Sequence, residues 1–265
     1  MDELAALRLQ IEWGVDEALA EAPVDRMAAR APTAPPSPAI GTAEPAAPAM
    51  LQPRPAAAPP LSPLARAEAL AASAGTPEAL RAALAGFDGC ALAATATNLV
   101  FADGNPDSGL MLIGDVPGAE EDRAGKPFIG PAGQFLDRML ASIGLDRSKY
   151  LITNLIPWRP PGNRNPTDSE ILLCLPFLLR HIALVRPRRI VLLGTTAAQA
   201  VTKCNTGIRK LRGKWVEIGI PGLERPVPAL PMLHPTYLLR THGAKRDAWA
   251  DLRLLRRTID VDADR

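Results

Sequence analysis

Four short apolar segments constrain the fold of this chain more than any other feature. They read LMLIG at 110–114, YLITNLI at 150–156, RIVLLG at 189–194 and VPALPML at 227–233. None shows the regular alternation of a strand with one solvent-exposed face, so both faces of each strand are expected to be buried. Helical patterns separate them: AGQFLDRMLASIGL, DSEILLCLPFLLRHIALV and TTAAQAVTK. Strands that alternate with helices in this way predict an α/β fold, with a parallel sheet covered by helices on both faces.

The first 66 residues differ in composition from the rest. Apolar residues at helical spacing (Leu4, Leu7, Ile11 and Val15) predict an amphipathic helix within residues 1–22. Eleven prolines and many alanines between Ala31 and Pro63 predict a disordered linker over residues 23–66, because this composition cannot bury a core. A folded domain is expected over 67–265. The first helix is either a frayed tail or a docking peptide for a protein partner, and the sequence leaves both open.

Targeting and charge patterns restrict the class of protein. No apolar run approaches the roughly 20 residues of a membrane span, and the amino terminus MDELAALRLQ is acidic, unlike a signal peptide. Three scattered cysteines do not form a disulfide framework. We therefore expect a soluble intracellular protein with no membrane partner. Net charge is +2, with an excess of basic residues after residue 66, which permits a polyanionic partner.

Unusual loops follow three of the predicted strands. They read GDVPGAEED, NLIPWRPPGNRNPT and HPTYLLR, and parallel α/β sheets bind ligands where strands end. Asp115, Asn154 and His234 stand in these loops, and each also has a purely structural interpretation. An aspartate can cap a turn, an asparagine can form one, and a lone histidine is commonly structural. Phe128 is equally compatible with a core position. His181 and His242 are interpreted as structural.

Five ordered motifs carry a resemblance to a known family. GDVPGAEEDRAGKPFIGPAG, NLIPWRPPGNRNPT, CLPFL, VLLGTTAAQA and HPTYLLR resemble the iron–sulfur (family 4) uracil-DNA glycosylases, over the chain from about Thr76 onward. The resemblance implies hydrolysis of the N-glycosidic bond of uracil in DNA, the first step of base excision repair. It also implies a three-layer α/β/α sandwich around a short, mainly parallel central sheet, and a cytoplasmic protein associated with the nucleoid when bound to DNA.

The resemblance implies roles for residues of the base pocket. Asp115 would position or activate water, and His234 would donate to a uracil carbonyl as the leaving anion forms. The uracil-binding residues would be Gly114, Val116, Glu121, Phe128 and Asn154. Phe128 would stack on the base, and Glu121 would exclude the methyl group of thymine. Aspartate stands at 115 where glutamate is commoner in the family, so this carboxylate reaches one methylene less.

A second set of residues is expected to contact DNA. It comprises Gly130, Arg159, Arg164, Arg209, Lys210, Arg212, Tyr237, Leu238, Leu239 and Arg240. The arginines and Lys210 are expected near phosphates, and the main-chain amide of Gly130 suits a ligand or a phosphate. The segment Tyr237–Arg240 is expected to wedge into the stack that the flipped base leaves. Each of these stretches could also be plain surface, or for the leucines a buried helix start.

The chain departs from the family at the metal cluster. Cys90 and Cys174 match two of the four cysteine positions that hold the 4Fe–4S cluster, and Phe87 and Trp158 occupy the other two. Because a cluster needs a complete set of thiolates, we predict no cofactor, with all four side chains packed as core. Two functions stay open: an active, cluster-free uracil-DNA glycosylase, or a non-catalytic uracil- or DNA-binding member of the superfamily acting as a repair adaptor.

Overall fold

Four parallel strands form the centre of a six-stranded sheet in the computed structural model, which describes residues 61–263. The strands are β1 (Ala102–Gly104), β2 (Leu110–Gly114), β3 (Leu151–Asn154), β4 (Arg189–Leu193), β5 (Val216–Ile218) and β6 (Val227–Met232). Their order across the sheet is β1-β3-β2-β4-β6-β5. The two edge strands β1 and β5 run antiparallel to their neighbours. The four predicted apolar strands and the mainly parallel sheet are confirmed.

Helices connect the strands and cover the sheet. They are α1 (Pro63–Ser73), α2 (Pro77–Ala85), α3 (Ala91–Thr95), α4 (Ala119–Ala124), α5 (Pro131–Ala141), α6 (Asp168–Val185), α7 (Thr195–Thr202), α8 (Ile208–Leu211), α9 (Pro235–Arg240) and α10 (Lys245–Ala263). Single 3-10 turns lie at Pro106–Ser108, Arg147–Lys149, Pro161–Asn163 and His242–Ala244. Thr76 caps α2 by accepting the amide of Ala79, as its position before the helix predicts.

The sheet is apolar on both faces, which makes a three-layer sandwich. Met111 and Ile113 of β2 belong to one buried cluster, while Leu110 and Leu112 belong to another. Helices α1, α2, α6 and α7 contribute to the first cluster, and α5 and α10 to the second. Each face therefore excludes water with a different set of helices. The α/β/α sandwich expected from the sequence is confirmed.

The first helix of the folded domain starts two residues after the beginning of the described part of the chain. Helix α1 begins at Pro63, four residues before the expected start of the domain at residue 67, and the hydroxyl of Ser62 caps it. The predicted amphipathic helix and nearly all of the predicted linker lie outside the described residues. Within residues 61–263, no helix is long and apolar enough to cross a bilayer.

The register of the parallel strands determines where the loops meet. Gly114 at the end of β2 is paired with Asn154 at the end of β3, and Leu193 at the end of β4 is paired with Met232 at the end of β6. Parallel strands end at a common edge, so the segments that follow all four strands start side by side. Asp115, Asn154 and His234 thereby reach one place from distant parts of the sequence.

Candidate active site

A cleft of about 900 Å3 opens at this carboxyl edge of the sheet. Ten of the residues predicted from the sequence line it: Asp115, Val116, Glu121, Phe128, Asn154, Arg209, His234, Tyr237, Leu239 and Arg240. Seven others do not: Gly114, Gly130, Arg159, Arg164, Lys210, Arg212 and Leu238. The cleft thus collects every residue expected to contact uracil except Gly114, and part of the set expected to contact DNA.

His234 presents a hydrogen-bond donor to the cleft. The residue precedes α9, and its Nδ1 accepts the amide of Thr236 at 3.2 Å. The proton of the neutral ring is therefore on Nε2, which is buried and has no hydrogen-bond partner within residues 61–263. Burial, with a smaller contribution from Arg240, lowers the pKa of His234 to about 4. At neutral pH the ring is an uncharged donor with its Nε2–H unused.

Asn154 presents an acceptor to the same cleft. The residue is only 4% exposed, and its Oδ1 has no partner among the described residues. A buried polar atom of this kind is costly unless a ligand or water satisfies it. Gly114 makes room for it, because a Cβ there would lie 2.6 Å from Asn154 Oδ1 and 2.4 Å from Phe128 Cζ. Gly114 therefore shapes the pocket wall without lining the cleft.

Phe128 forms a wall of the cleft next to His234. The ring is buried in the second apolar cluster, and its centroid lies 5.9 Å from that of His234. Its backbone is left-handed, with φ of 54°, a conformation that bulky residues rarely adopt. Phe128 is thus both a cleft residue and a core residue, so the two interpretations of the sequence apply together.

The carboxylate of Asp115 is held at the amino terminus of α7. Oδ1 accepts the amide of Ala197 at 2.7 Å, and the amide of Thr196 also donates to the carboxylate. Gly194 has φ of 110°, and a Cβ there would lie 2.3 Å from Asp115 Oδ2. Burial outweighs these hydrogen bonds and raises the pKa of Asp115 to about 6. Asp115 is mainly ionised at neutral pH, but near its titration range.

Thr195 and Thr196 line the cleft and were missed by the sequence interpretation. A signal was available, because GTT follows β4 directly and opens α7. This is the place where amides of a helix amino terminus point at a neighbouring anion.

Glu121 closes the loop that follows β2. Its Oε2 accepts the amide of Gly118 at 3.1 Å and its Oε1 accepts the amide of Gly130 at 2.9 Å. This corrects the expectation for Gly130: its amide is committed to Glu121, so it is not available for a phosphate. Neighbouring Asp122 is also buried and accepts the amides of Thr97 and Asn98.

The Tyr237–Arg240 segment is divided between core and cleft. Leu238 is 0% exposed and packs in a small core cluster with Leu233. The expectation that Leu238 contacts DNA is therefore corrected, because this side chain points away from solvent. Tyr237 and Leu239 are 36% and 37% exposed and line the cleft with Arg240.

The predicted DNA-contacting arginines have different environments. Arg212 is 16% exposed and pairs with Asp251 at 2.7 Å, so its predicted DNA contact is corrected to an internal ion pair. Arg164 forms two hydrogen bonds to the carboxylate of Glu170, and Arg159 donates to Asn163. Neither Arg159 nor Arg164 lines the cleft. Arg209 and Lys210 are exposed, and only Arg209 lines the cleft.

The positions that match cluster ligands form part of the core. Phe87, Cys90, Trp158 and Cys174 are all buried in one apolar cluster. The thiols of Cys90 and Cys174 hydrogen-bond to each other, and the ring of Phe87 packs against Phe177 with centroids 5.3 Å apart. Two thiols and two aromatic rings do not fit a 4Fe–4S cluster, which takes four thiolates. Among residues 61–263, no group of three or more His, Cys, Asp or Glu could hold a metal ion.

Comparison with known proteins agrees with this geometry. The family model described as the Uracil DNA glycosylase superfamily matches residues 101–253. The type-4 uracil-DNA glycosylase of Pyrobaculum aerophilum is 36% identical over 169 residues, covering 62% of this chain and 85% of that protein. Those of Archaeoglobus fulgidus and Thermotoga maritima are 40% and 39% identical over 154 and 155 residues. These two matches cover 57% and 58% of this chain and 76% and 78% of the relatives.

Proposed function

Because the chain belongs to the uracil DNA glycosylase superfamily and several proteins similar to it are type-4 uracil-DNA glycosylases, we propose that it removes uracil from DNA by hydrolysing the N-glycosidic bond. The observation that carries this function is the pair of unsatisfied buried atoms, Asn154 Oδ1 and His234 Nε2, beside the Phe128 ring. One is an acceptor and the other is a donor, and both residues line the same cleft as Asp115.

These groups complement a flipped uracil. The base carries an N3–H donor between two carbonyl acceptors, so Asn154 Oδ1 accepts from N3 and His234 Nε2–H donates to a carbonyl oxygen. The Phe128 ring stacks on the base. Cytosine has an unprotonated N3 and would leave Asn154 Oδ1 unpaired, so the same amide discriminates against it.

Bond cleavage then needs charge stabilisation on both sides of the scissile bond. The C1′–N1 bond breaks with its electron pair going to the base, and the hydrogen bond from His234 becomes stronger as the uracil anion forms. The sugar gains oxocarbenium character, which the ionised Asp115 stabilises. A water molecule forms the new bond to C1′ and gives its proton to Asp115, whose pKa near 6 suits this role.

The rim of the cleft supplies DNA contacts. Tyr237 and Leu239 are exposed apolar side chains at its edge and would fill the space that the flipped nucleotide leaves. Arg209 and Arg240 line the same cleft and would neutralise neighbouring phosphates.

The DNA-bound protein would then be in the cytoplasm with the nucleoid, and residues 1–22 would bind a protein partner.

The proposed reaction needs no metal. The protein performs it without a 4Fe–4S cluster, since rings occupy two ligand positions and the remaining thiols pair with each other. Iron and acid-labile sulfide determined on protein purified under anaerobic conditions are expected to be absent. Iron and sulfide in the ratio of a complete cluster would contradict this.

The activity is tested with a uracil-containing oligonucleotide, followed by alkaline cleavage of abasic sites. We expect strand cleavage, reduced at least about 100-fold by His234→Ala or Asn154→Ala, because each removes a hydrogen bond that forms with the base. His181→Gln is the matched control. His181 is also a buried histidine, with its pKa lowered to about 4, but stacks on Phe101 outside the cleft. Tight binding of uracil-containing DNA without cleavage would contradict the proposal and favour a binding protein.

A further inference from the structure

We propose that Arg147 is a positioning residue of the base pocket, which holds the main chain at Phe128 so that the aromatic ring faces the cleft. Arg147 does not line the cleft and lies on a 3-10 turn before β3. It would act through Phe128 alone. The inference rests on the proposed function, since it assigns a role in stacking on the flipped base.

The guanidinium of Arg147 is fixed from three directions. Nε and Nη2 donate to the two carboxylate oxygens of Asp137 on α5, at 2.8 and 3.2 Å. Nη1 donates to Asp103 of β1 at 3.3 Å. The hydroxyl of Tyr150 donates to Asp137 Oδ1 at 2.9 Å. The guanidinium carbon of Arg147 lies over the Tyr150 ring, 5.9 Å from the ring centroid. An arginine anchored in this way has lost its rotamer freedom before it meets the loop.

The remaining donors of Arg147 point at the backbone of the pocket loop. Nη2 donates to the carbonyl of Phe128 at 2.5 Å, and Nη1 reaches the carbonyl of Pro127 at 3.5 Å. Both contacts are with main-chain atoms, in the two peptide groups on either side of the Phe128 Cα. They restrict the backbone at this residue and leave the ring untouched.

Phe128 needs such a restraint because its conformation is unfavourable. A non-glycine residue at positive φ is strained, and it keeps this conformation only where its surroundings hold it there. The carbonyl of Phe128 also needs space, because a Cβ at Gly133 on α5 would lie 1.9 Å from its oxygen. Gly133 gives the carbonyl its space, and Arg147 supplies the donors that keep it there.

Lysine cannot replace this arrangement. A guanidinium has five donors in a planar fork, so it can bind a carboxylate on one side and carbonyls on the other, whereas an ammonium is a compact charge. We therefore expect Arg147→Lys to keep the charge but release the carbonyl of Phe128. The ring would then sample positions that do not stack on the base.

A double-mutant cycle tests whether Arg147 acts through Phe128. Cleavage rates are measured with enzyme in excess over uracil-containing DNA for the wild type, Arg147→Lys, Phe128→Ala and the double variant. Arg147→Lys is expected to lower the rate about 10- to 100-fold in the presence of Phe128. In the Phe128→Ala background it should change the rate less than about threefold, since the ring it positions is gone. Equal fold-losses in both backgrounds would overturn the inference.

Hydrogen exchange of the free protein tests the same positioning without any activity. Arg147→Lys should speed amide exchange across residues 125–130. The control is Arg180→Lys, because Arg180 also donates twice to a backbone carbonyl, that of Ala74, away from the cleft. Unchanged exchange in residues 125–130, or equal acceleration by both variants, would overturn the inference. If the wild type does not cleave uracil-containing DNA, the proposed function fails while exchange still decides the positioning.

Discussion

Burial of Asp115 links its chemistry to pH. Its pKa is raised to about 6, whereas that of His234 is lowered to about 4. If the ionised carboxylate is the active form, the single-turnover cleavage rate falls about tenfold per pH unit below pH 6. His234 stays neutral across this range and adds no inflection near its ordinary value. Rates measured between pH 4.5 and 8 check this, and a rate that stays constant from pH 8 down through pH 6 to pH 4.5 would show that Asp115 is not the group that titrates.

The same burial makes Asp115 costly for stability. Its folded-state pKa lies above the ordinary value, so folding favours the protonated form, and stability is lost as pH rises through about 6. Asp115→Asn should therefore increase the free energy of unfolding at pH 8 by about 1–3 kcal/mol, and by much less at pH 4. Urea unfolding at both pH values measures it. Asp107→Asn, at an exposed position, serves as the control and should change neither value.

Single residues could be predicted from sequence where they stand next to a strand end. Asp115, Asn154 and His234 each follow an apolar run, and the structure brings all three to one cleft. For neighbouring residues on a short helix, the sequence does not predict which side chain is buried and which is exposed. Leu238 and Leu239 are alike in type, yet one is in the core and the other at the rim, because tertiary contacts decide which side of α9 is covered.

At the scale of elements, Glu121 links the two ends of the pocket loop through the amides of Gly118 and Gly130. Glu121→Gln replaces one acceptor by a donor that faces an N–H group, so one of the two bonds is lost. We expect unfolding to become easier by about 1–3 kcal/mol and uracil cleavage to slow.

Glu120→Gln is the matched control for stability, since this exposed neighbour makes neither bond. Urea unfolding of both variants measures the difference. Equal stability of the two variants would show that the contacts of Glu121 do not hold the loop.

The acidic run at 120–122 shows what elements add to sequence reasoning. Three adjacent carboxylates suggest a solvated face, but one turn of α4 directs them to solvent, to the pocket loop and to the Thr97–Asn98 turn.

The edge strands β1 and β5 were not predicted from the sequence, for a different reason. Each has only three residues, ADG and VEI, which is too few to show a periodicity. Their pairing comes from neighbouring strands.

At the scale of the whole molecule, the fold class followed from the order of strands and helices, because each central strand was long and apolar enough to identify. The amino-terminal limit of the domain did not. Proline marks both the predicted linker and the first turn of α1, so composition alone cannot separate them. The contacts of α1 do: Ala67 and Ala71 are in the main core cluster, and α1 packs against α6.

Two truncations test this limit. A variant starting at residue 61 keeps Ser62, the cap of α1, and should match the full chain in thermal midpoint and in uracil cleavage. A variant starting at Gly75 removes α1 and the Ala74 carbonyl that accepts two bonds from Arg180. It uncovers one face of α6, so we expect it to lose several kcal/mol of stability. Thermal unfolding of the two variants measures this loss. Equal midpoints would mean that α1 is dispensable and that the domain begins at α2.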